Sequence, residues 1–184
     1  MSDPAVESGS VLRFWFGEAD PKAWWKPDPA FDETIRRRFA AVHERAILGE
    51  LFAWRVEPQG RLAEIIVLDQ FARNLFRESA RAFAQDLAAL VLAQEAVSSK
   101  AHLALEPVQR AFLLLPYMHS ESREVHVVAE RLFREFAPSE NYDFELRHKA
   151  IVDRFGRYPH RNDLLGRAST AEELEFLTQP GSSF

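Results

Sequence analysis

RLAEIIVLDQFARNLFR, residues 61–77, decides the fold. Leu62, Ile65, Ile66, Val67, Leu68, Phe71, Leu75 and Phe76 leave no wide polar face, so the run predicts a helix buried almost all round. Into that apolar cylinder the chain sets Asp69, Arg73 and Arg77 at four-residue intervals, with Gln70 and Asn74 beside them. A polar stripe on a core helix needs partners, because buried ionic groups persist only when paired. Asp69 and Arg73, acid first and four apart, are well placed to pair with each other, and that structural role is one reading of the stripe.

On both sides of this run the pattern is helix after helix. Asp28 followed by Pro29 reads as a cap and first turn, with Ile35, Phe39, Val42 and Ala46 following at helical spacing and Gly49 near the end. Pro58 and Gly60 read as a break before the central helix, and Phe83, Leu87, Leu90, Val91 and Val97 as the apolar face of the next. Pro107 starts VQRAFLLL, which Pro116 ends or kinks. Val125, Val128, Ala129, Leu132 and Phe136 give a further helix, stopped before Pro138; Phe144, Ile151, Val152 and Phe155 give another, before Gly156. Thr170 and Glu173 form a capping box for the last. No stretch alternates like a strand between hairpin turns. The expected class is all-α in a single domain over residues 1–184, built either as stacked antiparallel helical hairpins or as a compact helix bundle. Only the first few residues and the tail QPGSSF read as frayed.

Composition narrows the function. A chain of 184 residues, 47% hydrophobic and 28% charged, is folded rather than disordered. Having no cysteine, it excludes disulfides, thiolate metal sites and cysteine nucleophiles, and a reducing cytoplasm is the default compartment. No secretory leader or apolar run long enough to span a membrane is visible. A net charge of −5 argues against nucleic acid or an acidic membrane as a partner for the whole surface. Glu145 and His148 make one ExxH, but a carboxylate-bridged dimetal bundle needs two such motifs, so neither metal nor cofactor is expected.

Three polar clusters remain: Asp69, Arg73, Asn74 and Arg77; His119, Ser120 and Glu121 in PYMHSES; and Arg154, Arg157, His160, Arg161 and Asn162 in RFGRYPHRN. Ser120 reads also as an N-cap, and His148 as a core histidine with one backbone hydrogen bond. Gly156, Tyr158 and Pro159 predict a sharp corner between helices. Between 147 and 167 six Lys or Arg residues face two acids, which suits either an anion site or a clamp on neighbouring helix ends.

VLRFWFG at 11–17, the WW…DPAFD segment at 24–32, GRLAEIIVLDQFARN at 60–74, LLLPYMHSE at 113–121 and RFGRYPHRNDLLGRASTAEELEFL at 154–177 resemble, in order and spacing, the bacterial family called domain of unknown function 924. The resemblance implies a tetratricopeptide-like fold, helical hairpins stacked in a right-handed superhelix, and no transferable activity. The family usually reads LDQFPRN, and Ala72 stands where its proline would.

From these clusters we expect one pocket in which Asp69, Arg73, His119 and Arg161 meet, with Asn74, Arg77, Glu121, Arg157, His160 and Asn162 as further ligand-binding residues. Arg73, Arg77, Arg157 and Arg161 outnumber Asp69 and Glu121 there, so the expected ligand is an anionic small molecule or peptide. A binding scaffold is the first reading. The other is a hydrolase or transferase acting on an acidic or phosphorylated substrate, with His119 or His160 as general acid/base. A histidine bonded to a carboxylate on one side and open on the other would favour the enzyme. The aromatic residues near the start, Phe14, Trp15 and Phe16 above all, read either as a helix capping the first hairpin or as an exposed edge that pairs two copies.

Overall fold

The computed structural model describes residues 4–184, and all regular structure among them is helical. Residues 1–3, where the sequence predicts fraying, lie outside the described part. The helices are α1 (Pro4–Arg13), α2 (Pro29–Ile47), α3 (Pro58–Ile66), α4 (Ala72–Leu75), α5 (Asp86–Ser98), α6 (Pro107–Met118), α7 (Arg123–Phe136), α8 (Ser139–Phe155) and α9 (Ala171–Leu177). No described helix is long and apolar enough to cross a membrane.

Local chemistry explains most boundaries. Asp28 Oδ1 accepts the amides of Ala30 and Phe31 ahead of Pro29, and Thr170 with Glu173 closes the expected capping box on α9. Gly156 ends α8 at φ +72°, a left-handed turn that favours glycine. Three expectations need correction. Gly60 lies inside α3, where a Cβ would sit 2.0 Å from the Trp54 carbonyl oxygen; the glycine serves close packing on the 3₁₀ turn Phe52–Val56. Pro116 does not end α6, which runs on to Met118. Ser122, not Ser120, caps α7 by accepting the Val125 amide.

The backbone stays helical at Ala72, at φ −57° and ψ −41°. α3 continues through a π turn, Val67–Phe71, into α4, and Val67, Leu68 and Phe71 stay sealed in the core. Each such fully buried side chain contributes roughly 1.5–3 kcal/mol of transfer free energy. Around this rod α3 packs on α1, α5 and α6, while α5–α6, α6–α7 and α7–α8 pack in sequence order. α5 is turned from its expected face: Ala89, Leu90, Ala93 and Ala96 are buried, whereas Leu87 is 73% and Val91 53% exposed. The small alanines let neighbouring helices approach closely, a preference that spacing of large apolar residues does not reveal.

Phe14 and Trp15 are buried, and Trp15 meets Phe71 and Phe112 edge-on at 5.6 Å. Phe14 and Trp15 are therefore packed inward, while Phe16 is half-buried and Trp25 exposed.

Candidate functional site

The π turn sets Asp69 at the centre of the molecule with no exposed surface. π turns are frequent at functional sites because the extra residue re-aims side chains. Asp69 Oδ2 accepts from Gln70 Nε2 at 2.6 Å, while Oδ1 lies 3.1 Å from Arg73 Nη1 and 2.7 Å from His119 Nδ1. Arg73 also bonds the Asp69 carbonyl at 2.7 Å and reaches Asp86, the first residue of α5, at 3.0 Å. Asp86 in turn holds Arg161 at 3.1 Å. Arg161 is 5% exposed, its guanidinium lying 4.6 Å above Phe83 and 4.7 Å above Tyr158. Asp69, Arg73, His119 and Arg161 thus form one contiguous cluster through Asp86, a residue the sequence reading did not single out.

Burial pushes the Asp69 carboxyl up, but Arg73 and then His119 outweigh it and hold the group well below the usual carboxylate range. Burial and the neighbouring Arg73 push His119 down, against the pull of Asp69. An ionised Asp69 beside a neutral His119 fixes the tautomer: Nδ1 carries the proton and donates it to Asp69, leaving the Nε2 lone pair free. Nε2 has no partner among the described residues and is not a sealed atom; the side chain keeps 13% of its surface exposed.

The backbone under His119 is pinned on both sides. Tyr158 donates its hydroxyl to the Met118 carbonyl at 2.5 Å, and His126 Nε2 donates to the Ser120 carbonyl at 2.8 Å. His126 is completely buried, with Nδ1 2.7 Å from Glu145 Oε1. Burial raises the Glu145 carboxyl, against His126. The sequence reading missed His126, although it lies three residues before Ala129 and seven before Phe133 on the buried face of α7. His148 donates Nδ1 to the Phe144 carbonyl at 2.7 Å, as expected of a core histidine, and burial pushes it down to about 3.

The remaining expected residues divide. Asn74 and Arg77 turn to Asp32 on α2, at 2.7 Å each. Arg157 clamps Glu173, which it holds down to about 2, at the start of α9. Glu121 is taken by Arg167 at 2.6 Å and by the Tyr158 amide at 2.7 Å. Asn162 ties Ser169 to Arg167. None of these contacts joins the His119 cluster, so the expected excess of arginine over acid there is corrected to two arginines, Arg73 and Arg161, against Asp69 and Asp86. Arg154 and Lys149 are likewise paired, with Glu172 and Asp153. The basic corner is mostly a set of clamps. His160 has a sealed, unpartnered Nδ1, is pushed by burial down to about 4, and edges an open recess of ≈ 490 Å³ with Pro159, Asp163, Arg167 and Leu174. Arg161 Nε is also sealed and without an acceptor. No group of three or more metal-ligating side chains is present among the described residues.

A family model described as "Bacterial protein of unknown function (DUF924)" matches residues 11–181. Among solved structures the chain is similar to a protein of unknown function from Agrobacterium tumefaciens, 35% identical, with a TM-score of 0.90 over 95% of this chain and 98% of that one. No curated protein matches the chain.

Proposed function

We propose, for a chain that belongs to the bacterial family of unknown function DUF924, that the protein is a hydrolase acting on an acidic or phosphorylated substrate, with His119 as general base. The observation that carries this reading is the geometry of His119: Nδ1 held at 2.7 Å by a carboxylate with no exposed surface, Nε2 without a partner. A scaffold gains nothing from orienting a histidine in this way. General-base chemistry needs it, because the second nitrogen must be unprotonated and aimed at the group it deprotonates.

In this mechanism His119 Nε2 takes a proton from a water molecule as the water oxygen attacks a carbonyl or phosphoryl centre. Asp69 stabilises the resulting imidazolium, which returns the proton to the leaving group. Water is the nucleophile of choice because, among the described residues, no hydroxyl side chain is bonded to His119 and the chain has no cysteine. Arg73 and Arg161, though each is tied to Asp86, place positive charge beside His119 that would favour a substrate's anionic group. The sequential packing of α5 to α8 supports reading the scaffold as one domain of stacked helical hairpins, tetratricopeptide-like in its succession.

The test is a hydrolysis screen of carboxylate-bearing amides and esters and of phosphoesters. Turnover should appear in one class and be lost in His119→Ala and Asp69→Asn. Turnover untouched by His119→Ala overturns the proposal. So does stabilisation by carboxylates or phosphates, equal in wild type and His119→Ala, with no turnover in any class; that result would make the protein an anion-binding scaffold.

A further inference from the structure

The tail QPGSSF does not fray. After α9 the chain turns at Gly181, whose φ of +78° lies in the left-handed region that favours glycine. Ser182 is then buried, its amide on the Gln179 carbonyl at 3.3 Å and its hydroxyl on the Leu177 carbonyl at 3.2 Å. This anchor delivers the Phe184 ring onto three others: 3.7 Å from His148, 4.7 Å from His160 and 5.4 Å from Tyr158, centroid to centroid. Phe184 lies beyond the family match, which ends at residue 181.

The three receiving rings are a niche in their own right. Tyr158 and His148 are buried beneath Phe184, and each is held independently of it, Tyr158 by its hydroxyl on the Met118 carbonyl and His148 by Nδ1 on the Phe144 carbonyl. Burial keeps His148 and His160 largely neutral at pH 7, and neutral imidazoles offer flat apolar faces to an aromatic guest. The niche adjoins the dyad: Tyr158 is hydrogen-bonded to the carbonyl preceding His119 and carries Arg161 on its ring. Phe184 itself remains 55% exposed, so it rests on the niche without being locked into it.

We propose that His148, Tyr158 and His160 form a subsite for an aromatic ring of the substrate, and that Phe184 fills it as an intramolecular stand-in that a substrate ring must displace. That the ring belongs to the molecule attacked at His119 rests on the hydrolase reading; that the niche takes an aromatic ring does not. Bound ligands then combine a phenyl or phenol ring with an anionic group, the ring in the niche and the charge toward Arg161.

The experiment follows the imidazole proton signals of His148 and His160 by NMR in the full chain and in Phe184→Ala, during titration with N-acetyl-L-phenylalanine and, as control, N-acetyl-L-alanine. Removing Phe184 should shift both signals, since the ring current over them is lost. N-acetyl-L-phenylalanine should shift them again and bind Phe184→Ala about tenfold more tightly than wild type, as for a site left open about a tenth of the time. N-acetyl-L-alanine should do neither. Equal affinity in the two proteins, or equal responses to the two compounds, overturns the subsite. His119→Ala separates the two proposals: ring binding persists there if the subsite is real, whether or not turnover was ever present.

Discussion

Two histidine–carboxylate pairs lie close together in this protein, each closed at 2.7 Å, and they differ in what surrounds them. In Glu145–His126 both side chains are sealed, and the second imidazole nitrogen is already spent on the Ser120 carbonyl. In Asp69–His119 the carboxylate is equally sealed, but the second nitrogen is free. The carboxylates also diverge. Asp69 has Arg73 beside it and is held down; Glu145 feels only a weak pull from Lys149, which is paired with Asp153, and burial pushes it up. A histidine–acid contact therefore says little by itself. The outer nitrogen and the charge behind the acid separate a reactive pair from a structural one.

The largest expected contrast is catalytic. With a substrate found by the hydrolysis screen, His119→Ala should lower kcat roughly 10²–10⁴-fold, the usual range for losing a general base, while its melting temperature moves by only a few degrees. Asp69 would still keep Arg73 and Gln70. The rate should also fall as pH drops through the His119 pKa, which lies below the ordinary 6.5, since only the unprotonated ring accepts a proton. A pH profile with no acid limb below 6.5 would break the comparison at its more important end.

The second effect is the mirror image. His126→Ala leaves a cavity, an unpaired Glu145 and a bare Ser120 carbonyl in a dry interior, which should cost roughly 3 kcal/mol or more. In a chain of this size that lowers the melting temperature by roughly 6–12 °C. If instead His119→Ala were the more destabilising variant, the outer pair would be the structural one.

How far these pairs were legible differs for reasons of chemistry. Asp69, Arg73, His119 and Arg161 stood out because polar residues in strongly apolar or glycine–proline-marked stretches break a local pattern. His126 broke none visibly, since one histidine among Val125, Val128 and Ala129 reads as an interruption of the face rather than as part of it. Asp86 carried no local signal, because its two arginine partners stand 13 and 75 residues away. The helices and caps such as Asp28 and Thr170 were readable because cap chemistry is local. The π turn was not, because nothing in VLDQF separates it from α-helix; tertiary packing selects the register. Phe184 was hidden for the same reason: a short polar tail carries no period, and its place is set by one glycine angle and one buried serine.

A third test compares the carboxylates through pH. Asp69, with a folded pKa below the unfolded value of 3.8, adds stability at neutral pH that is lost as pH falls through the folded pKa. Asp69→Asn should therefore be destabilising at pH 7, with the deficit shrinking below pH 3.8. Glu145 is raised above 4.5, so its favourable contribution is complete below 4.5 and lost as pH rises through the folded pKa. Glu145→Gln should compare better with wild type at pH 7 than at pH 4. Each unit of pKa separation corresponds to about 1.4 kcal/mol, measurable as the difference in melting temperature between variant and wild type. Parallel pH trends in the two variants would mean that the carboxylates share one environment.

The smallest effect tests whether the sealed pair serves the open one. Tyr158 meets both, donating to the carbonyl just before His119 and contacting His126 Nε2 at 3.1 Å. Tyr158→Phe keeps the ring that supports Arg161 and removes only the hydroxyl, so the stability cost should be about 1 kcal/mol. If the hydroxyl positions the His119 backbone, kcat falls several-fold while KM stays put, because substrate contacts are intact and only the aim of Nε2 has loosened. A matching loss in KM would place Tyr158 in binding. A loss of stability with kcat unchanged would show that the sealed network holds the fold and leaves the dyad to itself.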